Sequence, residues 1–80
     1  MNIKTLFFGI TTDLVGASEL QIDVTENTSV KDFKLVLKKA YSQLENINSY
    51  AIAVNEEYAT DNLILKNGDV VAVIPPVSGG

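Results

Sequence analysis

The residues with the greatest chemical potential in this chain are its last six, Pro75-Pro76-Val77-Ser78-Gly79-Gly80. Neither proline can donate to a sheet ladder and both favour polyproline II, so the chain is expected to leave its fold in an extended direction at Pro75. Six residues reach at most roughly 20 Å. Gly79 and Gly80 carry no side chains, and a backbone without Cβ atoms threads a narrow channel where any other residue would obstruct passage. A protruding end of this kind offers one reactive group, the Gly80 carboxylate. A separate ATP-using enzyme can activate such a carboxylate as an acyl adenylate and pass it to a nucleophile, and the carrier then needs no catalytic residue of its own. A Gly-Gly end arises by chance in roughly 0.5% of chains, and a frayed or truncated end reads the same. The reading therefore depends on what precedes the tail.

The composition points the same way. Among 80 residues there is no cysteine, histidine or tryptophan, 46% are hydrophobic and 20% charged. That excludes a thiolate nucleophile, a disulfide framework, zinc-finger spacing and a Ser-His-Asp triad, so no metal site is expected. A chain of this length buries about 60 to 65% of its unfolded surface, enough for one core but seldom for a substrate pocket as well. Six lysines and no arginine stand against ten acidic residues, a net charge of −4. An acidic domain without a basic stripe repels phosphate backbones, which argues against nucleic acid and for protein partners with basic surfaces. Met1–Ile10 is too short an apolar run for a signal peptide or a membrane span, so a cytoplasmic protein with no membrane partner is expected.

One domain over residues 1–74, followed by the tail 75–80, must position that carboxylate. Ile3–Ile10 reads as a β-rich first strand, with Gly9 marking a bulge or a close approach. Thr11–Ser18 carries turn-formers. Glu19–Val24 alternates, placing Leu20, Ile22 and Val24 on one face, and predicts a second strand paired with the first as a hairpin. Ser29 reads as a helix N-cap with Asp32 in the first turn. Val30, Phe33, Leu37, Ala40, Tyr41 and Leu44 then draw one apolar stripe, with Lys31, Lys34, Lys38 and Lys39 mostly off it. Those lysines read as a solvated face, with docking of an acidic partner as the alternative. Asn46–Ser49 ends the helix and Tyr50–Val54 predicts a third strand. Asn55–Asn62 is turn-like, Leu63–Leu65 a short edge strand or turn, and Asn67-Gly68 a turn dipeptide. Val70–Ile74 is a continuous apolar run, as expected of a strand buried on both faces at the centre of a sheet.

Two hairpins flanking one helix define the fold class as α+β: a β-grasp, ubiquitin-like mixed sheet packed on one main helix. A split βαβ sandwich is the alternative. A sheet covered by one helix leaves its other face open, so surplus apolar residues there need an explanation. Leu6 and Phe8 share parity with Lys4, and Val70, Ala72 and Ile74 share one parity on the last strand. Phe8, Ile74 and Tyr58 are therefore expected to form an apolar docking patch beside the tail. In the opposite register Phe8 would be core, because a one-residue slip exchanges the faces. Glu56, Glu57 and Asp61 read as a solvated turn rather than a cation loop, Asp69 as turn chemistry, and Tyr41 and Tyr50 as aromatics at the core edge.

These motifs resemble one family along essentially the whole chain. Leu6-Phe7-Phe8-Gly9, Asp13-Leu14-Val15-Gly16, Ser29-Val30, Ala53-Val54-Asn55, Leu65-x-x-Gly68-Asp69-x-Val71 and above all Pro75-Pro76-Val77-Ser78-Gly79-Gly80 resemble the small subunit of molybdopterin synthase (MoaD), a ubiquitin-like sulfur carrier. Families that share only the fold usually keep the Gly-Gly without the Pro-Pro-Val. The resemblance implies that an E1-like, MoeB-like adenylyltransferase adenylates Gly80 with Mg-ATP, and that a sulfurtransferase converts it to a thiocarboxylate. Pro75, Pro76, Val77, Ser78 and Gly79 would then insert into the large synthase subunit, where the sulfur passes to cyclic pyranopterin monophosphate. It implies a non-catalytic, sulfur-donating subunit in a heterotetramer, with no cofactor bound by this chain and the catalytic residues in the large subunit. Thr12 departs from the family, which often has an Arg there before the acidic Asp13. Alternatives are a thiamine-type sulfur carrier and a ubiquitin-like modifier conjugated through Gly80.

Overall fold

The structure is a computed structural model, and it describes residues 1–76. Strand β1 (Asn2–Phe7) alternates burial strictly, with Ile3, Thr5 and Phe7 buried and the residues between them facing out. It pairs antiparallel with β2 (Glu19–Asp23), Ile3 opposite Ile22 and Leu6 opposite Glu19. The hairpin reading and the β2 face are borne out: Leu20, Ile22 and Val24 all pack half-buried on the core.

The expected strand to Ile10 and the turn after it are corrected. Strand β1 stops at Phe7, and Ile10–Val15 forms a short helix, α1. A tight reversal starts it: Thr11 N donates to Phe8 O at 3.2 Å, across Gly9 at φ 56° and ψ −135°. That is the type II′ geometry, which calls for glycine at this position. Gly16 at φ 83° closes the helix, its N–H donating to Thr12 O.

Helix α2 (Val30–Ala40) begins as read, with Asp32 N donating to Ser29 Oγ at 3.1 Å. It buries Val30, Phe33 and Leu37 against the sheet. The helix ends before Tyr41, so the stripe is shorter than expected: Ala40 is exposed, and Leu44 reaches the core from the turn beyond. A 3-10 helix, Ile47–Ser49, adds buried Ile47. The lysine face is also corrected. Lys34 is buried, and its ammonium donates to Asp61 Oδ1 at 2.8 Å, so Asp61 is not part of a purely solvated turn.

Strand β3 (Ala51–Val54) returns along the sheet and turns through Asn55 and Glu56 into β4 (Glu57–Tyr58), a two-residue strand where only a turn was expected. Leu63–Leu65 makes one bridge, Ile64 with Ser29. The Asn67-Gly68 turn is present, with Asp69 N donating to Lys66 O and the Asp69 carboxylate accepting from Lys66 N. Strand β5 (Val70–Ile74) lies at the centre, parallel to β1 and antiparallel to β3, and the sheet order is β2-β1-β5-β3-β4. This is the β-grasp arrangement. One face of β5 is fully buried through Val71 and Val73, while Val70, Ala72 and Ile74 are half-buried on the other, so the expectation of burial on both faces is corrected.

The core joins Ile3, Phe7, Phe33, Leu37, Leu44, Ile47, Ile52, Leu65, Val71 and Val73, with Tyr41 and Tyr50 at its edge. Among the described residues no buried side-chain polar atom lacks a hydrogen-bond partner.

Candidate functional site

The sheet has one face against α2 and one against solvent, and β5 carries the chain along their boundary to the tail. On the open face the register aligns Leu6, Ala72, Ala53 and Tyr58 in one row across four strands. Tyr58 is 80% exposed at the end of that row, and Ala53 and Ala72 form its low centre. Alanines there keep the middle of the face shallow, so a partner's side chains can approach the sheet closely.

At the tail end of the sheet the last β1–β5 pair is Phe7 with Val73, and the last β3–β5 pair is Ala51 with Ile74. Phe8 follows immediately, 48% exposed, whereas its neighbour Phe7 is buried. The register that makes Phe8 core is therefore overturned. Ile74 is half-buried and Pro75 beside it likewise, while Pro76 is exposed and both prolines lie outside the strand. The structure thus brings Phe8 and Ile74 to the root of the tail and places Tyr58 at the far edge of the same open face. Val77, Ser78, Gly79 and Gly80 lie outside the described residues.

Sequence reasoning missed Ile10, a large apolar residue left 54% exposed in the first turn of α1, next to Gly9. The sequence pattern places it in the first strand, and the glycine before it is the signal for a turn. The close approach expected at Gly9 is present: a Cβ built there would lie 3.2 Å from Pro75 Cγ. Thr12 donates its hydroxyl to Phe7 O at 3.2 Å and so ties α1 to the end of β1. On the flank of the open face, β2 presents Glu19, Gln21 and Asp23 opposite Leu6, Lys4 and Asn2, an acidic margin crossed by a Lys4–Glu19 pair at 3.7 Å. Among the described residues no group of three metal-capable side chains converges, and no helix is long and apolar enough to cross a membrane.

Comparison with known proteins agrees with this geometry. The ThiS family model matches residues 5–80. The chain belongs to the ThiS family. Within that family it is 39% identical to the molybdopterin synthase sulfur carrier subunit of Caenorhabditis elegans, over the whole of this chain and 99% of that one. Among solved structures this ThiS-family chain is similar to SAMP1, a small archaeal modifier protein, from Haloferax volcanii, with 25% identity, a TM-score of 0.89 and full coverage of both chains. It is also similar to a chain in the complex of subunits 1 and 2 of the molybdopterin-converting factor from Helicobacter pylori, with 28% identity, a TM-score of 0.70 and full coverage of both.

Proposed function

We propose that the chain is the sulfur-carrier small subunit of a molybdopterin synthase, acting in molybdenum cofactor biosynthesis with Gly80 as the atom-transferring end. An E1-like adenylyltransferase attacks the α-phosphate of Mg-ATP with the Gly80 carboxylate, forming the acyl adenylate and releasing pyrophosphate. The outer sulfur of a sulfurtransferase persulfide attacks the acyl carbon and AMP leaves; a thiol then reduces the acyl disulfide so formed, and the end is released as a thiocarboxylate. The tail, Pro75 to Gly80, enters the large subunit, the sulfur passes to cyclic pyranopterin monophosphate, and water restores the carboxylate. Two such transfers complete a dithiolene.

The single observation that carries this reading is the exit of the central strand β5 directly into Pro75 and Pro76, beside an open apolar face. A central strand is the best-anchored element of the sheet, so the tail has a rigid base. The row Leu6-Ala72-Ala53-Tyr58, with Phe8 and Ile74, is the surface on which the large subunit docks, and the acidic β2 margin suits a basic rim on that partner. Full-length similarity to sulfur carrier subunits supports the same assignment.

Mass spectrometry of the protein after incubation with the adenylyltransferase, Mg-ATP and a sulfur donor tests it. Replacement of one terminal oxygen by sulfur is expected; an unmodified chain in an otherwise active assay sinks the proposal. The likeness to SAMP1 favours a second reading, conjugation to lysines through Gly80, and isopeptide-linked adducts in cell extracts would identify it.

A further inference from the structure

We infer that the turn at Gly9 is a positioning seat for the tail, and that Gly9 sets the direction in which the chain leaves β5. The inference rests on the reading that the tail's end is the reacting group. Strands β1 and β5 run side by side to the pair Phe7 with Val73, and there the two chains must part. Strand β1 folds back through Phe8, Gly9, Ile10 and Thr11, while β5 continues into Pro75.

The turn is held firmly. Phe8 N donates to Thr11 Oγ1 at 3.0 Å, Thr12 N to Gly9 O at 3.1 Å, and the Thr12 hydroxyl to Phe7 O. Pro75 is held differently. It has no N–H to donate, so its ring is located by packing rather than by a ladder bond. The wall it packs on is Gly9, where a Cβ would lie 3.2 Å from Pro75 Cγ. Glycine is thus favoured twice at this position, by the backbone angles and by the tight space beside the proline ring.

Any side chain at Gly9 pushes on the root of the tail. A Cβ at Gly9 lies close enough to Pro75 Cγ that the ring must give by a few tenths of an ångström, which alters the direction in which the chain leaves β5. A misplacement of about 1 Å already costs some hundredfold in a positioned reaction. Gly9 is therefore a positioning residue that touches neither ATP nor sulfur.

The experiment uses the full chain in four forms: wild type, Gly9→Ala, Pro75→Ala and the double variant. The first readout is the rate of thiocarboxylate formation as a function of carrier concentration. The expected result for Gly9→Ala is a fall in kcat of tenfold or more with little change in KM. The double variant should recover the part of that loss caused by the Pro75 ring, leaving the part caused by the backbone angles at position 9. Losses that simply multiply in the double variant overturn the proposal.

The second readout is independent of activity and of whether Gly9→Ala folds. The chain has no cysteine, so Ser78→Cys accepts one nitroxide label, and its broadening of backbone amides near Ile10 and Ala51 maps where the tail points. In that background Pro75→Ala should redistribute the broadening, and an unchanged pattern overturns the seat. If the wild-type chain takes up no sulfur, the functional reading falls while the label still decides the inference.

Discussion

Lys34 shows how a single side chain can be both charged and structural. Its side chain is buried, and its ammonium meets Asp61 in the loop that follows β4; the Asp61 side chain is itself about half exposed. The pair is partly screened on the Asp61 side, so the Coulomb contribution is modest, while the stem packs as an apolar group would. Lys34→Ala should destabilise the domain by about 1 to 2 kcal/mol and Lys34→Met by about half of that, measured by urea unfolding. Phe8 is the opposite case, a large apolar residue left in water. Phe8→Lys should leave the melting transition nearly unchanged and weaken binding to the large subunit at least tenfold in calorimetric titration; unfolding of the variant would show that Phe8 is core. Phe8 was legible because strand parity sorted it from Phe7 once the neighbouring Lys4 was taken as outward. The role of Lys34 was not, because a lysine next to an apolar stripe gives no sign that a distant aspartate will receive it.

At the scale of elements, local signals decided what the sequence revealed. Helix α2 announces itself through the Ser29 cap and the apolar positions 30, 33 and 37, and β5 through five consecutive apolar residues. Helix α1 does not: Ile-Thr-Thr-Asp-Leu-Val has poor intrinsic helix preference. It forms because the Gly9 reversal, the two threonine hydroxyls and the left-handed Gly16 cap supply the bonds that its own backbone lacks. Strand β4 is equally silent, since two residues carry no periodicity. It exists through the turn at Asn55 and Glu56, both with positive φ, at 52° and 71°. Asn55 also holds this hairpin to β5, accepting from Val70 N and donating to Asp69 Oδ1, both at 3.0 Å. A two-residue hairpin of this hand prefers glycine second. Glu56→Gly should therefore stabilise the fold by about 0.5 to 1 kcal/mol, seen as a higher midpoint in thermal unfolding; Asn55→Ala should lose about 1 to 3 kcal/mol by the same measure.

Over the whole molecule, stability and reactivity occupy separate stretches of chain. Among the described residues the fully buried side chains lie between Ile3 and Val73, whereas the reacting end proposed here is Gly80. Deleting Gly79 and Gly80 should abolish thiocarboxylate formation while moving stability by no more than about 0.5 kcal/mol, a shift of a few degrees at most in Tm. Under the proposed function the absence of cysteine and histidine becomes intelligible at this scale: a carrier whose partners supply the chemistry would need neither.

The placement of β5 has a mechanical consequence. A partner that drew on the tail, as proposed, would load a strand bonded on both sides, to β1 over four register pairs and to β3 over four more. Such a load shears both ladders at once instead of peeling them apart one bond at a time. Under the proposed function, the domain would be tethered, withdrawn and reloaded by its end through repeated cycles, with the sheet acting as an anchor that such a load does not unzip.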